Sequence, residues 1–425
     1  MMLQMKAPSV FSVCLLEFLE RLGFYSFLTF FTVHLTTDRG MTVAAASELY
    51  GTMMLLLYLL PVLGGAFADR VLGYPRAVAL GGFLLLISYL GLAFLPAAAF
   101  YPSLAALFLG GGLFRPNVMA LLSSGCHHDS STREAAFLWL FLAINLGAGV
   151  APVMAGLVGQ SLPGHVPFVV SAIAMALGFG PVLWLLRSTP RKLADADANQ
   201  RERTLSPSAK WPVARIFLIT LLSQCTAVQV DMVLRLWSRD HVDMTMDGLI
   251  PASIGPTVFL ALDSVFQLLL APIVVVFFLQ LRKRGIEPSG AAKVGMSMIL
   301  QILPCLLLFL AARTEVDGKL VQTGWVVAAH LAAALPKLFL LPLVLSIVAQ
   351  LVPANRLGTL FGVWFPLSGS MTFFAGKVAA WSIALPSQYI FLSGGIFAII
   401  AASLWIAQAR TLDLALGAAS QRRVN

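Results

Sequence analysis

The chain has 425 residues, of which 59% are hydrophobic and only 11% charged, with a mean hydropathy of +0.88. A water-soluble globule of that length needs far more charge to cover its surface, so the composition excludes a soluble protein and defines an integral membrane one. The formal net charge of +9 reads as a basic cytoplasmic face against anionic lipid and gives no support for a nucleic-acid partner.

Crossing roughly 30 Å of hydrocarbon takes about 20 mainly apolar residues in a helix. Twelve such runs are predicted, centred near Tyr25, Leu57, Leu86, Leu113, Leu146, Met175, Thr220, Leu268, Leu303, Leu335, Leu367 and Ile399. Strand-like alternation over ten residues is missing, which argues against a transmembrane barrel. The first run carries a charged cluster and has no small-residue cleavage site, so it reads as a retained helix rather than a signal peptide. The polar stretch "RSTPRKLADADANQRERTLSPSAK", Arg187 to Lys210, divides the runs six and six. The expected organisation is therefore an N-terminal six-helix bundle over 1–187, a cytoplasmic linker over 188–210 and a C-terminal six-helix bundle over 211–425. Sliding one half over the other sets Pro61 against Pro272 and Arg70 and Arg76 near Arg282, Lys283 and Arg284, the faint trace expected of a duplicated six-helix unit. The fold class is thus all-α and membrane-embedded, with twelve transmembrane helices in two pseudosymmetric halves.

With the N-terminus placed inside, most of the 28 basic residues fall on cytoplasmic segments, and only Arg39, Arg235, Arg239, Arg313 and Lys319 fall on outer ones. This bias predicts both termini in the cytoplasm of a multi-pass protein of the cell (inner) membrane. The four cysteines, Cys14, Cys126, Cys225 and Cys305, have no paired spacing and read as small packing residues, not as a disulfide framework or a zinc site.

Eight charges remain at membrane depth: Arg21, Arg115, Lys337 and Lys377 against Glu17, Glu20, Asp231 and Asp263. Each costs about 2.5 to 3.5 kcal/mol at a helix centre, so such side chains face a bundle interior or wet cavity and find partners. In "EFLERLGFY", residues 17 to 25, Glu17, Glu20, Arg21 and Tyr25 project from one broad face of the first helix. Either Glu17 and Arg21 form an intrahelical pair that locks packing, or the cluster lines a cavity that binds something polar; the latter explains it better. In "GGAFADRVLGYPR", Gly65, Asp69, Arg70 and Gly73 form a tight cytoplasmic turn, with Asp69 set to favour the positive N-terminus of the following helix and Arg70 and Arg76 at the headgroups. That stretch resembles the signature loop of the major facilitator superfamily, whose implied role is conformational gating; a plain capping turn is the alternative.

Glu17-x-x-Glu20-Arg21 followed by Tyr25 resembles the ExxER motif on the first helix of the proton-dependent oligopeptide transporter family. Blocks similar to that family's follow in order: "YLLPVLGGAFADRVLG", "GGGLFRPNV", "INLGAGVAP", "IPASIGPTVFLALDSVFQLLLAPI" and "VPANRLGTLFGVWF". The resemblance implies that Arg21 contacts a substrate carboxylate, that Glu20 exchanges a pair with Arg115, and that Glu17 takes part in proton coupling. It also implies that Tyr25 and Tyr58 line the pocket, and that Asn145 serves binding or helix packing. The chain departs from the family pattern where Lys337, in "PKLFLLP", stands in place of an acid on helix ten and Asp263 in place of an asparagine on helix eight. Two further family positions are lost at Leu28 and Val228, and Asp231 lies on roughly the face of Val228, where it substitutes as a proton acceptor. Two readings of Lys337 stay open. It pairs with Asp263, or with Arg21 and Arg115 it makes a pocket more cationic than a peptide carrier's, suited to extra carboxylates.

Weaker candidates are His330, seven residues before Lys337 and so on a similar helix face; His127 and His128, in a polar turn; and the Gly110–Gly112 run, which suits close helix contact and lacks phosphate-loop spacing. A membrane-embedded enzyme would need a nucleophile with a positioned base, or metal-ligand spacing, and neither set occurs. The expectation is a carrier without cofactors, working as a monomer with a small-molecule substrate, protons and the bilayer. It would move small peptides or peptide-like carboxylated metabolites by proton-coupled alternating access, at a site between the two halves. An exporter of a polycarboxylated or drug-like metabolite and a non-transporting sensor are the rivals.

Overall fold

The computed structural model describes residues 8–126, 130–158, 164–188, 207–242, 255–286, 288–315, 320–382 and 385–424. Along these residues run α1 (Pro8–Val33), α2 (Val43–Phe67), α3 (Tyr74–Phe94), α4 (Phe100–Gly125), α5 (Ser130–Val158) and α6 (Val166–Ser188). They are followed by α7 (Pro207–His241), α8 (Gly255–Lys283), α9 (Gly290–Arg313), α10 (Thr323–Leu351), α11 (Leu357–Ser382) and α12 (Ser387–Val424). Each predicted run falls within one helix. Ten of the helices are long and apolar enough to cross a membrane by composition alone. Of the other two, α1 carries Glu17, Glu20 and Arg21, and the described apolar stretch of α6 is the shorter Val166–Val182. The chain is a multi-pass helical membrane protein. Leucines 55, 59 and 63 of α2 and Ile273, Val276 and Phe277 of α8 stay exposed, as side chains that face acyl chains must. All four cysteines are free.

Local chemistry explains the breaks between helices. Thr42 Oγ1 accepts the Ala45 amide to cap α2, and Ser289 Oγ accepts the Ala292 amide to cap α9. After α2 the backbone widens into a π turn, Ala68–Leu72, which ends at Gly73 with φ of 73°. Only glycine adopts that left-handed geometry without strain, and Pro75 then starts α3 in the first turn, where a missing amide costs nothing. Helix α9 is interrupted at Gln301, three residues before Pro304, whose absent N–H cannot bond the carbonyl of Leu300.

Contacts divide the chain into two compact units: Met1–Leu205 with Val352–Pro366, and Ser206–Leu351 with Leu367–Asn425. Val352–Pro366, counted with the C-terminal half in the sequence division, groups with the first unit, and most of the linker over 188–210 lies outside the described residues. In the first unit α3 packs on α4 and α6, α1 on α5 and α6, and α2 on α4. Glycines set these distances: a Cβ on Gly110 would meet the Gly81 carbonyl oxygen at 2.9 Å, and one on Gly64 would collide with the Gly112 backbone. In the second unit α10 packs on α8 and α9, and α12 on α7 and α9, around a core that includes Val230, Trp237, Leu308, Val326 and Phe391.

Candidate transport site

The charged residues of α1 meet one residue of α4. Glu20 is fully buried, and Glu17, Arg21 and Arg115 are each less than a tenth exposed. The Arg21 guanidinium pairs with the Glu20 carboxylate next to it and, through Nε, with Glu17 Oε1 at 3.3 Å, one helical turn back. Arg115 Nε stands 3.9 Å from Glu20 Oε1, within ion-pair range but too far for a hydrogen bond, so both atoms lack hydrogen-bond partners. Two guanidiniums and two carboxylates leave this cluster formally neutral.

Phe24 lies between the two arginines, with the guanidinium carbon of Arg115 4.1 Å and that of Arg21 5.2 Å from its ring centroid. Its ring face offers both buried cations a favourable quadrupole. Tyr25 meets Phe24 edge-on at 5.5 Å. Gly147 of α5 lets α1 come this close, because a Cβ there would lie 2.7 Å from Arg21 Cβ. Asn145 points its amide at its own helix, donating to the Phe141 carbonyl at 2.8 Å. Tyr58 is half-buried on α2.

A second cluster belongs to the second unit. Lys337 Nζ on α10 donates to both oxygens of Asp231 on α7 at 2.8 Å and to Asp263 Oδ1 on α8 at 3.0 Å. The lysine side chain is 15% exposed and the two aspartates about twice that, so the acids, more than the amine, remain reachable. Gln267, one turn beyond Asp263, donates to Asp263 Oδ2 at 2.7 Å, while its own buried carbonyl oxygen has no partner. His330 Nδ1 donates to the Val326 carbonyl of its own helix at 2.9 Å.

These contacts correct two expectations. Lys337 does not add a surplus positive charge: it pairs with Asp263, and Asp231 joins them, so in these contacts one ammonium faces two carboxylates. Nor does Asp69 favour the N-terminus of α3, the helix that follows it. Its carboxylate accepts from the Gly358 amide (3.0 Å), the Thr359 amide (2.7 Å), the Thr359 hydroxyl (2.5 Å) and the Tyr74 hydroxyl (2.8 Å), capping the first turn of α11. The physical cause is a glycine contact: a Cβ on Gly65 would collide with the Gly358 backbone, so the bare glycine lets α11 start directly against the π turn that carries Asp69. Arg70 is exposed beside it and Gly73 closes the turn.

The sequence reading missed Phe24 and Gln267. Gln267 was open to detection, lying four residues after Asp263 on the same face; Phe24 was hidden in an aromatic run in which nothing marked it apart. His127 and His128 lie outside the described residues. Among the described residues no group of three or more His, Cys, Asp or Glu side chains is placed to hold a metal. Lys377 lies 5.5 Å from the Phe373 ring centroid.

Paired ions at membrane depth in a polytopic helical protein mark a substrate or ion pathway or a proton relay, the features of a membrane carrier. The sequence profile of the Major Facilitator Superfamily matches residues 13–376, and the chain belongs to that superfamily. It is 25% identical to an uncharacterized transporter of Bacillus subtilis, over 92% of this chain and 91% of that one. It is also 25% identical to dipeptide and tripeptide permease A of Erwinia pyrifoliae, over 87% and 85% of the two chains. Among solved structures it resembles a POT family transporter in complex with 5-aminolevulinic acid, with a TM-score of 0.67 at 20% identity over 95% of this chain and 96% of that one. The peptide transporter POT in complex with sulfate matches with a TM-score of 0.66 at 20% identity over 95% and 94%.

Proposed function

We propose that this protein is a proton-coupled secondary transporter of the proton-dependent oligopeptide transporter kind, moving short peptides or peptide-like carboxylated metabolites by alternating access. The observation that carries this reading is the position of Glu20, buried between Arg21 and Arg115, with its own Oε1 and the facing Arg115 Nε both without a hydrogen-bond partner. Such a carboxylate is a two-state element. Ionised, it holds the arginines; protonated, it releases one of them to a substrate carboxylate. Glu17 shares the proton through its own contact with Arg21. One proton moving down a 100 mV potential supplies about 2.3 kcal/mol, enough to bias the two states.

In the first unit Tyr25, Tyr58 and Asn145 supply neutral contacts to the substrate. In the second unit Lys337, held by Asp231 and Asp263, forms a further polar binding place, with carboxylates more exposed than the amine. Gly65, Asp69, Arg70 and Gly73 form the gating turn. The names of the relatives agree with this reading, and the basic bias supports cytoplasmic termini. The working unit is a monomer.

Proteoliposomes with an imposed pH gradient test it. Gradient-driven uptake of a neutral dipeptide, lost in Glu20→Gln, is expected. Preferential uptake of a tricarboxylate, or dipeptide binding with no net flux, would overturn the reading.

A further inference from the structure

At the end of α2 a cavity of about 490 Å³ opens between the π turn and the short turn Ala354–Arg356 that precedes α11. Arg70 and Arg356 line it, and both are exposed. Among the described residues neither side chain has an ion-pair partner. The one carboxylate in the wall, Asp69, already accepts from four donors. Val352, Leu360 and Val363 make the rest of the wall apolar. Two guanidiniums thus share one concave surface beside an apolar wall.

We propose that this cavity binds a phosphate-bearing anion held between Arg70 and Arg356. Each guanidinium presents parallel N–H donors that match two phosphate oxygens, which a carboxylate-sized partner bridging both would not satisfy as fully. The volume lies in the range of small-ligand sites. The apolar wall suits the glycerol and upper acyl carbons of a lipid, and a free phosphate satisfies the same arginines without using it. Because Arg356 sits in the turn just before α11, whose first amides Asp69 holds, an anion there would brace the junction between α2 and α11. This site is separate from both ion clusters and does not depend on the transported substrate.

Native mass spectrometry of the full-length protein, extracted from phosphatidylcholine vesicles containing phosphatidylglycerol, reads lipid retention; a thermal shift with inorganic phosphate reads the soluble source. Retained phosphatidylglycerol is expected to fall on the order of tenfold in Arg70→Gln/Arg356→Gln and to stay unchanged in Lys283→Gln/Arg284→Gln, an exposed basic pair on the second unit. A phosphate-induced shift lost in the same double variant, with lipid retention unaltered, assigns the site to free phosphate. Should both probes ignore the Arg70/Arg356 change, or should the control pair weaken retention equally, the site does not exist. If the double variant does not purify folded, Arg356→Lys keeps the charge and removes the fork, and unchanged retention of both probes in it overturns the proposal.

Discussion

Asp69 and Thr359 stand 290 positions apart in the chain, yet the carboxylate accepts both the amide and the hydroxyl of the threonine. The charge sits against the positive end of α11, where capping and dipole act together. Changing Asp69→Asn keeps the shape and loses the charge-assisted bonds. The expected result is a fall of about tenfold in the maximal uptake rate, consistent with loss of about 1.5 kcal/mol from one conformation, with substrate affinity nearly unchanged. Initial-rate uptake against substrate concentration separates the two.

Glu20→Gln removes the carboxylate that two arginines share. Leaving buried cations short of a partner costs about 3 to 5 kcal/mol, so thermal stability of the purified protein should drop. Gradient-driven uptake should vanish while exchange of labelled for unlabelled peptide across the same liposomes persists, since exchange needs no net proton movement. Loss of both activities in a folded variant would place Glu20 in substrate binding instead.

Lys337 couples Asp231 to Asp263. Replacing Lys337→Met strands two like charges side by side, whereas Lys337→Met with Asp231→Asn removes one of them. Thermal denaturation of the single and double variants should give a coupling of about 0.5 to 3 kcal/mol, the double being more stable than the sum of its parts. Additive losses would mean that the three residues do not act as a unit.

Gly147 permits the approach of α5 to the arginine on α1. A methyl group there meets Arg21 Cβ and the Phe18 carbonyl oxygen at 2.7 Å each, too close for either helix to stay in place. Gly147→Ala should destabilise by about 1 to 3 kcal/mol, the range for overpacked sites, and weaken peptide binding by displacing Arg21. Gly51, which has open space around it, is the control, and Gly51→Ala should change neither reading.

The twelve helices and the membrane class were legible in the residues, whereas the pair of Glu17 with Arg21 was legible only as the less favoured of two readings of that helix face. A span must be apolar for its whole length, and side chains four apart share a helix face whatever else the chain does. The ExxER stretch and the turn at Asp69 also announced themselves, because few sequences place charges inside apolar runs. Apart from Glu20 with Arg115, which the family resemblance implied, partners across helices were not legible. Asp263 for Lys337 could be proposed as a pair but not chosen over its rival, and the contribution of Asp231 was assigned elsewhere.

What the sequence alone determined is the set of ions that must be buried, since the cost of a charge in hydrocarbon is a property of the residue and its span. Which ion meets which was decided only by the tertiary structure. The rotation of each helix and the closeness that Gly65 and Gly147 allow fix distances between residues far apart in the chain, and no periodicity encodes them. That is why Asp69 reaches α11 rather than α3, and why Lys337 ends held by two carboxylates.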